Sequence, residues 1–295
     1  MPASHFTPEL FAFLDDLERN NEREWFRSNK GRYEEHLKQP ALRFIEDFGG
    51  LLYDISPHFR AVPKATGGSL FRIYRDTRFS KDKTPYKTHL GVHFRHEQGK
   101  GAHAPGFYLH IEPGAVACGF GLWTPPNPVL RRIRERIVED PAAWVAARTR
   151  ATGDTGRLYA AGALKRVPRG YDKDHPLAEE LKLKSFAAMR SLPDSAVIED
   201  GFIEHFAHLC DQAAPMMRPL CGAVGVPYWG RDAVCLPMPH GTPGGALNVP
   251  ESAGRGRRII RTRAAPGRPR VRPGPRPRGS STAGRGARGS GPGGG

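Results

Sequence analysis

Through the first 55 residues apolar side chains recur at a helical period. Leu10, Phe13, Leu14 and Leu17 share one face of FTPELFAFLDDLERNN, where Thr7 can serve as N-cap and Pro8 occupies the first helical position, so this stretch is predicted to be a helix. Trp25, Tyr33 and Leu37 lie along one line at multiples of four residues, with Phe26 beside them. That line predicts a second helix over 22–39, ended by Pro40. Asn29 falls on the same line, where its amide is expected to satisfy backbone groups. A third helix is predicted over 41–55, stopping before Ser56-Pro57.

The period then changes from 3.6 to 2. Leu90, Val92 and Phe94 alternate with His89, Gly91, His93 and Arg95. Phe107, Leu109 and Ile111 alternate with Tyr108, His110 and Glu112. Val116, Cys118, Phe120 and Leu122 alternate with Ala117, Gly119, Gly121 and Trp123, and in LFRIY Phe71 and Ile73 alternate with Arg72 and Tyr74. Four strands joined by hairpins imply an antiparallel sheet with one apolar face, which the helices are available to cover. Helices resume over 127–144, with Asn127-Pro128 and Asp140-Pro141 as two cap-and-first-turn pairs. Another is predicted after YDKDHP, where Asp174 can cap a start at Pro176, and a last one over about 198–217. The stretch 153–170 reads as loop with one short extended piece. The fold class expected is α+β, a single domain over 6–228.

Charge changes the picture only at the C-terminus. The chain of 295 residues carries a net +15, but from Gly230 onward there are 13 Arg, no Lys, one Asp and one Glu, a net of +11, which leaves +4 for the rest. The segment 230–295, dominated by Arg, Gly and Pro, has too little apolar surface to offset the entropy of ordering it and is expected to be disordered. Two readings of it stand: an Arg/Gly segment that tracks nucleic-acid phosphates, or out-of-frame translation of a GC-rich gene, which yields Arg, Gly, Pro and Ala while excluding Lys. Cys118, Cys210, Cys221 and Cys235 show no C-x-x-C spacing and are expected to be reduced thiols. Acids at Glu9, Asp15 and Asp16 in place of a basic leader, and the lack of an 18-residue apolar run, predict a cytoplasmic protein without membrane contact.

The non-apolar side of the sheet is where chemistry is expected. It is predicted to display Arg72, Tyr74, Lys87, His89, His93, Tyr108 and His110 above a floor made by Gly91, Gly119 and Gly121. Within YRDTRFSKDKTPYK the ends read as strand and the middle as a long hairpin loop, so Arg72, Arg75, Arg78, Lys83 and Lys87 converge, with Ser80 and Tyr86 as neutral donors. Guanidinium groups and hydroxyls at a loop suit phosphate or carboxylate oxygens. The competing reading is that Asp76 and Asp82 pair with these cations in a solvated loop.

His89, His110 and Tyr86 are the proton-transfer candidates, since imidazole titrates near neutrality. A metal site among His89, His93, His96, His103, His110 and Glu112 has poor spacing support: His93 and His96 point to opposite faces of a strand, and no H-E-x-x-H exists. No metal and no cofactor is therefore assigned.

The segments NNEREWFRSNKGRYEE, GSLFRIYRDTRFSKDKTPYKTHLGVHF, PGFYLHIEPG, KRVPRGYDKDHPLAEELKLKSF and APMMRPLCGAVGVP resemble the family known as domain of unknown function 2461 over about 6–228. The resemblance implies a single-domain α+β protein of bacterial type and carries no activity with it. The family pattern ends near Tyr228, so the Arg/Pro/Gly tail departs from it. Phosphate-loop, dinucleotide-binding and serine-hydrolase motifs are absent from the sequence. Two functions remain: a domain that holds a small phosphorylated or carboxylated molecule on the sheet face, enzyme or sensor, and a nucleic-acid or protein interaction module that uses the basic hairpin 72–87. A core charge of only +4 and the lack of an aromatic stacking run favour the first.

Overall fold

A computed structural model describes residues 3–99, 104–155 and 157–230. His103, Cys235 and the Arg/Gly/Pro-rich segment from residue 231 lie outside them. Helix α1 (Pro8–Arg19) buries Leu10, Phe13, Leu14 and Leu17, as the helical spacing requires. Pro8 starts it, and the Thr7 side chain makes no cap hydrogen bond.

The second predicted helix is broken. It consists of α2 (Arg23–Ser28), α3 (Lys30–Arg32) and a π-helical turn (Tyr33–Lys38), which runs directly into α4 (Gln39–Ile55). Pro40 therefore does not end a helix. The Gln39 N–H reaches back five residues to the Glu34 carbonyl, and this wider turn gives the proline ring room against the carbonyl four residues before it. Asn29 acts as expected, its amide donating to the Trp25 carbonyl at 3.0 Å.

Strands β1 (Leu90–Arg95), β2 (Gly106–Ile111), β3 (Ala117–Leu122) and β4 (Phe186–Ser191) form one antiparallel sheet in the order β1-β2-β3-β4. Three of them lie where alternation predicts. The fourth replaces most of the helix expected after YDKDHP, of which only one turn exists, α7 (Ala178–Leu181). Asp174 does not cap that turn; the Leu177 N–H donates instead to His175 Nδ1 at 3.0 Å.

The predicted strand LFRIY is not a regular one. It bridges the sheet only at Leu70–Val92 and the hairpin at Tyr74–Tyr86, with a bend at Ile73 between them. The Phe71 N–H donates to the Gly91 carbonyl at 2.9 Å, so this segment runs along the outer edge of β1. On the other edge Leu158 bridges Ala188, which is the short extended piece expected in 153–170.

Leu90, Val92, Phe94, Phe107, Leu109, Ile111, Cys118, Phe120 and Leu122 are all buried on one face of the sheet. Helices cover that face: Phe48 of α4 packs on Phe94 at 4.6 Å between ring centroids, and Phe206 of α9 (Phe202–Val224) packs on both. Helix α9 begins later and runs further than the 198–217 predicted, passing through Pro215 and Pro219 to a left-handed Gly225, and the separate α8 (Asp194–Ile198) precedes it. Of the two expected caps for α5 (Asn127–Glu139) and α6 (Pro141–Thr152), only Asp140 forms, accepting from the Ala143 N–H at 2.9 Å. Cys118, Cys210 and Cys221 are free and buried, and no helix among the described residues is long and apolar enough to cross a membrane.

Candidate functional site

The opposite face of the sheet is open to a cavity of about 500 Å³, walled by Phe71, His89, Tyr108, Trp123, Tyr159 and Met189 among others. Strand register sets its floor. On this face His110 stands between Gly91 and Ala117, and Tyr108 between His93 and Gly119, so His110 has small residues on both sides and Tyr108 on one. The floor is not bare: a methyl group at Gly91 would meet the Tyr108 hydroxyl at 2.8 Å, and one at Gly119 would meet the Met189 sulfur at 3.0 Å. Trp123 and Tyr159 pair at 4.5 Å at the β3–β4 end. The cavity is thus more aromatic and apolar than the alternation alone implies.

Its polar end is a connected chain of groups. The Tyr108 hydroxyl meets His110 Nδ1 at 3.1 Å, His110 Nε2 meets Glu112 Oε2 at 3.1 Å, and the Thr88 hydroxyl donates to Glu112 Oε1 at 2.8 Å. Burial pushes the Tyr108 phenol up to about 12. Burial also works to raise Glu112, but hydrogen bonds from His110 and Thr88 outweigh it and hold the carboxyl below its usual value.

His89 lies against His110 with ring centroids 4.5 Å apart. Burial, then the neighbouring His110, push its imidazole down to about 4. One ligating atom from each of His89, His110 and Glu112 lies within 4.8 Å of the others. His93 is buried beneath Phe71 and Tyr108 and is pushed down to about 4 by that burial.

Lys87 is not a wall residue, but its ammonium lies 5.3 Å from the centre of the Phe71 ring, which is one. Burial, then Arg72, push its pKa down. Among the described residues it has neither a hydrogen-bond acceptor nor an ion-pair partner.

The rest of the predicted cation cluster does not converge here. Arg78 donates from Nε and Nη2 to the two carboxylate oxygens of Asp76, at 2.9 and 2.7 Å, and Arg75 is bound by Asp82 and Thr84. Lys83 donates to the Thr77 carbonyl at 2.8 Å, and Ser80 lies in the same loop. Arg72 is exposed. Tyr86 is buried and stacks on Phe26 at 4.1 Å, and Tyr74 packs against the same two rings, so neither reaches the sheet face on which LFRIY alternation put Tyr74. The bend at Ile73 is the reason: it sends Phe71 to the cavity side while Ile73 enters the core. His96 is likewise committed elsewhere, to the Pro227 carbonyl at 2.8 Å.

Sequence reasoning did not find Thr88, Tyr159 or Met189. Thr88 had a usable signal, since a hydroxyl one residue before His89 enters β1 beside the end of β2. Met189 depended on recognising β4, whose Ala-Ala core carries no alternation. Tyr159 had none.

No curated protein and no solved structure matches the chain. The family model described as conserved hypothetical protein (DUF2461) matches residues 9–218. The chain therefore belongs to that family, as the shared segments around the hairpin and β2 indicated.

Proposed function

We propose that the sheet-face cavity binds a small molecule with a flat, apolar body and an anionic group, phosphate or carboxylate, directed toward Lys87. The observation that carries this reading is the Lys87 ammonium, half-buried with no counter-ion among the described residues and placed over Phe71, a ring that walls the aromatic cavity. A cation withdrawn from water beside a second cation, Arg72, is unfavourable on its own, and an anion would relieve both. A cavity of about 500 Å³ accommodates a molecule of metabolite size. Phe71, Tyr108, Trp123 and Tyr159 suit a planar body, and the polar groups gathered at one end would orient it.

A contact surface made by the hairpin gains no comparable support, because Arg75, Arg78 and Lys83 are held by groups of the hairpin itself. A thermal-shift screen of the full chain against aromatic and aliphatic phosphates and carboxylates tests the proposal. Aromatic anions should raise the melting temperature of the wild type and not of Lys87→Met. Equal shifts in both proteins would contradict it.

A further inference from the structure

We propose that His89, His110 and Glu112 form a binding site for one divalent transition-metal ion, zinc in the first instance, with an open coordination position facing the cavity. This goes beyond the anion reading and needs no ligand in order to hold. Two imidazoles and one carboxylate are a donor set suited to zinc and its neighbours. Bond lengths of about 2.0–2.2 Å place neighbouring donor atoms of a tetrahedral site about 3.4 Å apart. His110 Nε2 and Glu112 Oε2 are already 3.1 Å apart, and the whole set of donor atoms lies within 4.8 Å. His89, which makes no hydrogen bond among the described residues, supplies the third donor atom within that 4.8 Å.

What surrounds the three donors argues as strongly as their spacing. The Thr88 hydroxyl occupies Glu112 Oε1 at 2.8 Å and leaves Oε2, the oxygen nearer His110, as the donor. On the far side of the His110 ring the Tyr108 hydroxyl sits 3.1 Å from Nδ1. With Nε2 given to a metal, Nδ1 carries the proton and donates it to the Tyr108 oxygen. His110 on β2 and Glu112 just after it thus each have an outer partner that fixes their orientation, which is how metal-ligating histidines and carboxylates are usually held. The three donors come from two adjacent segments. His110 and Glu112 share a face two residues apart, and His89 lies just before β1, two residues ahead of Gly91, which pairs with His110. Spacing along the chain does not reveal this set, because the third donor arrives by strand pairing. Three protein donors leave the fourth position to water or ligand, and two of them, His89 and His110, line the cavity.

Untagged full-length protein, stripped with a chelator and dialysed, is titrated with zinc by calorimetry and with cobalt(II) by visible absorption. One equivalent per chain should bind, with the visible bands of nitrogen and oxygen coordination. His89→Ala and Glu112→Gln should each weaken binding at least about 100-fold, and Thr88→Val about 10-fold through loss of the outer hydrogen bond. His208→Ala, at an exposed histidine of α9, should leave it unchanged. Circular dichroism establishes that each variant is folded. Absence of stoichiometric binding, or one-equivalent binding that survives both His89→Ala and Glu112→Gln, overturns the assignment. Because the metal is titrated alone, its failure would leave the anion reading standing. Failure of the anion screen would in turn leave a positive metal titration intact.

Discussion

The Thr88 hydroxyl donates a 2.8 Å hydrogen bond to Glu112 Oε1, tying the residue before His89 to the end of β2. This bond fixes a carboxylate at the polar end of the cavity and closes the seam between β1 and β2 at the same point. Thr88→Val keeps the shape and removes the donor. It should cost about 1 kcal/mol of stability, read by urea denaturation in the presence of a chelator. An unchanged midpoint would mean that solvent replaces the bond.

The two glycines of β3 should respond very unequally to an added methyl group. At Gly121 the backbone has φ +136°, and an added methyl group would lie 2.1 Å from the Phe186 carbonyl oxygen, a backbone atom of β4 that cannot step aside. Gly121→Ala should destabilise by about 3 kcal/mol or more and loosen the β3–β4 pairing, visible as faster amide exchange in β4. At Gly119 the obstacle is the end of the flexible Met189 side chain at 3.0 Å. Gly119→Ala should stay within about 1 kcal/mol of the wild type while reducing binding of aromatic anions, because the extra carbon rises from the cavity floor.

Stability should fall in acid through His93. Its neighbours on this side are Phe71, Tyr108 and Arg95, none of which accepts a proton from it, and burial holds it at about 4 against 6.5 for a free imidazole. The unfolded chain therefore binds the proton first. The contribution of the neutral ring is complete above about pH 6.5 and is lost progressively as pH falls toward about 4, a total of roughly 3 kcal/mol. His93→Gln should flatten the stability–pH slope across that window whatever its stability at pH 7. His89 titrates in the same direction but is present in both proteins, so the difference isolates His93. Identical slopes would contradict the assignment.

The hairpin ion pairs should matter little. Arg78 and Asp76 are largely exposed, at 76% and 60% of their side-chain surface, so Arg78→Ala should leave the urea-denaturation midpoint unchanged. It should also leave binding of aromatic anions intact, whereas Lys87→Met should abolish it. Loss of binding in Arg78→Ala would return the ligand to the hairpin loop.

The sheet was legible wherever large apolar residues alternate with polar ones, as in Leu90–Phe94 and Phe107–Ile111, because burial of one face imposes period two. It was illegible in β4, where Ala187 and Ala188 face opposite sides and read alike. Alternation also failed in LFRIY, since a single bend at Ile73 reverses the faces that follow it, and a bend leaves no mark when both flanks remain extended. The site was half legible for the same reason. His89, Tyr108 and His110 follow from strand phase, and Lys87 lies at the edge of the face expected for it. The fate of Arg75, Arg78 and Lys83 depended on whether Asp76 and Asp82 fold back onto them, which the composition of the loop leaves open. The grouping of His89 with His110 and Glu112 needed the register between β1 and β2, a long-range property that no local pattern encodes.

The account rests on the sheet-face cavity being where a small anion binds, and chemical-shift mapping with phenyl phosphate tests this most directly. With the methionine methyls and tryptophan indoles labelled, saturable shifts are expected at Met189 and Trp123, absent in Lys87→Met, while Trp25 and Trp144 stay still. No saturable shift at Met189 and Trp123, or shifts there that persist unchanged in Lys87→Met, would contradict it.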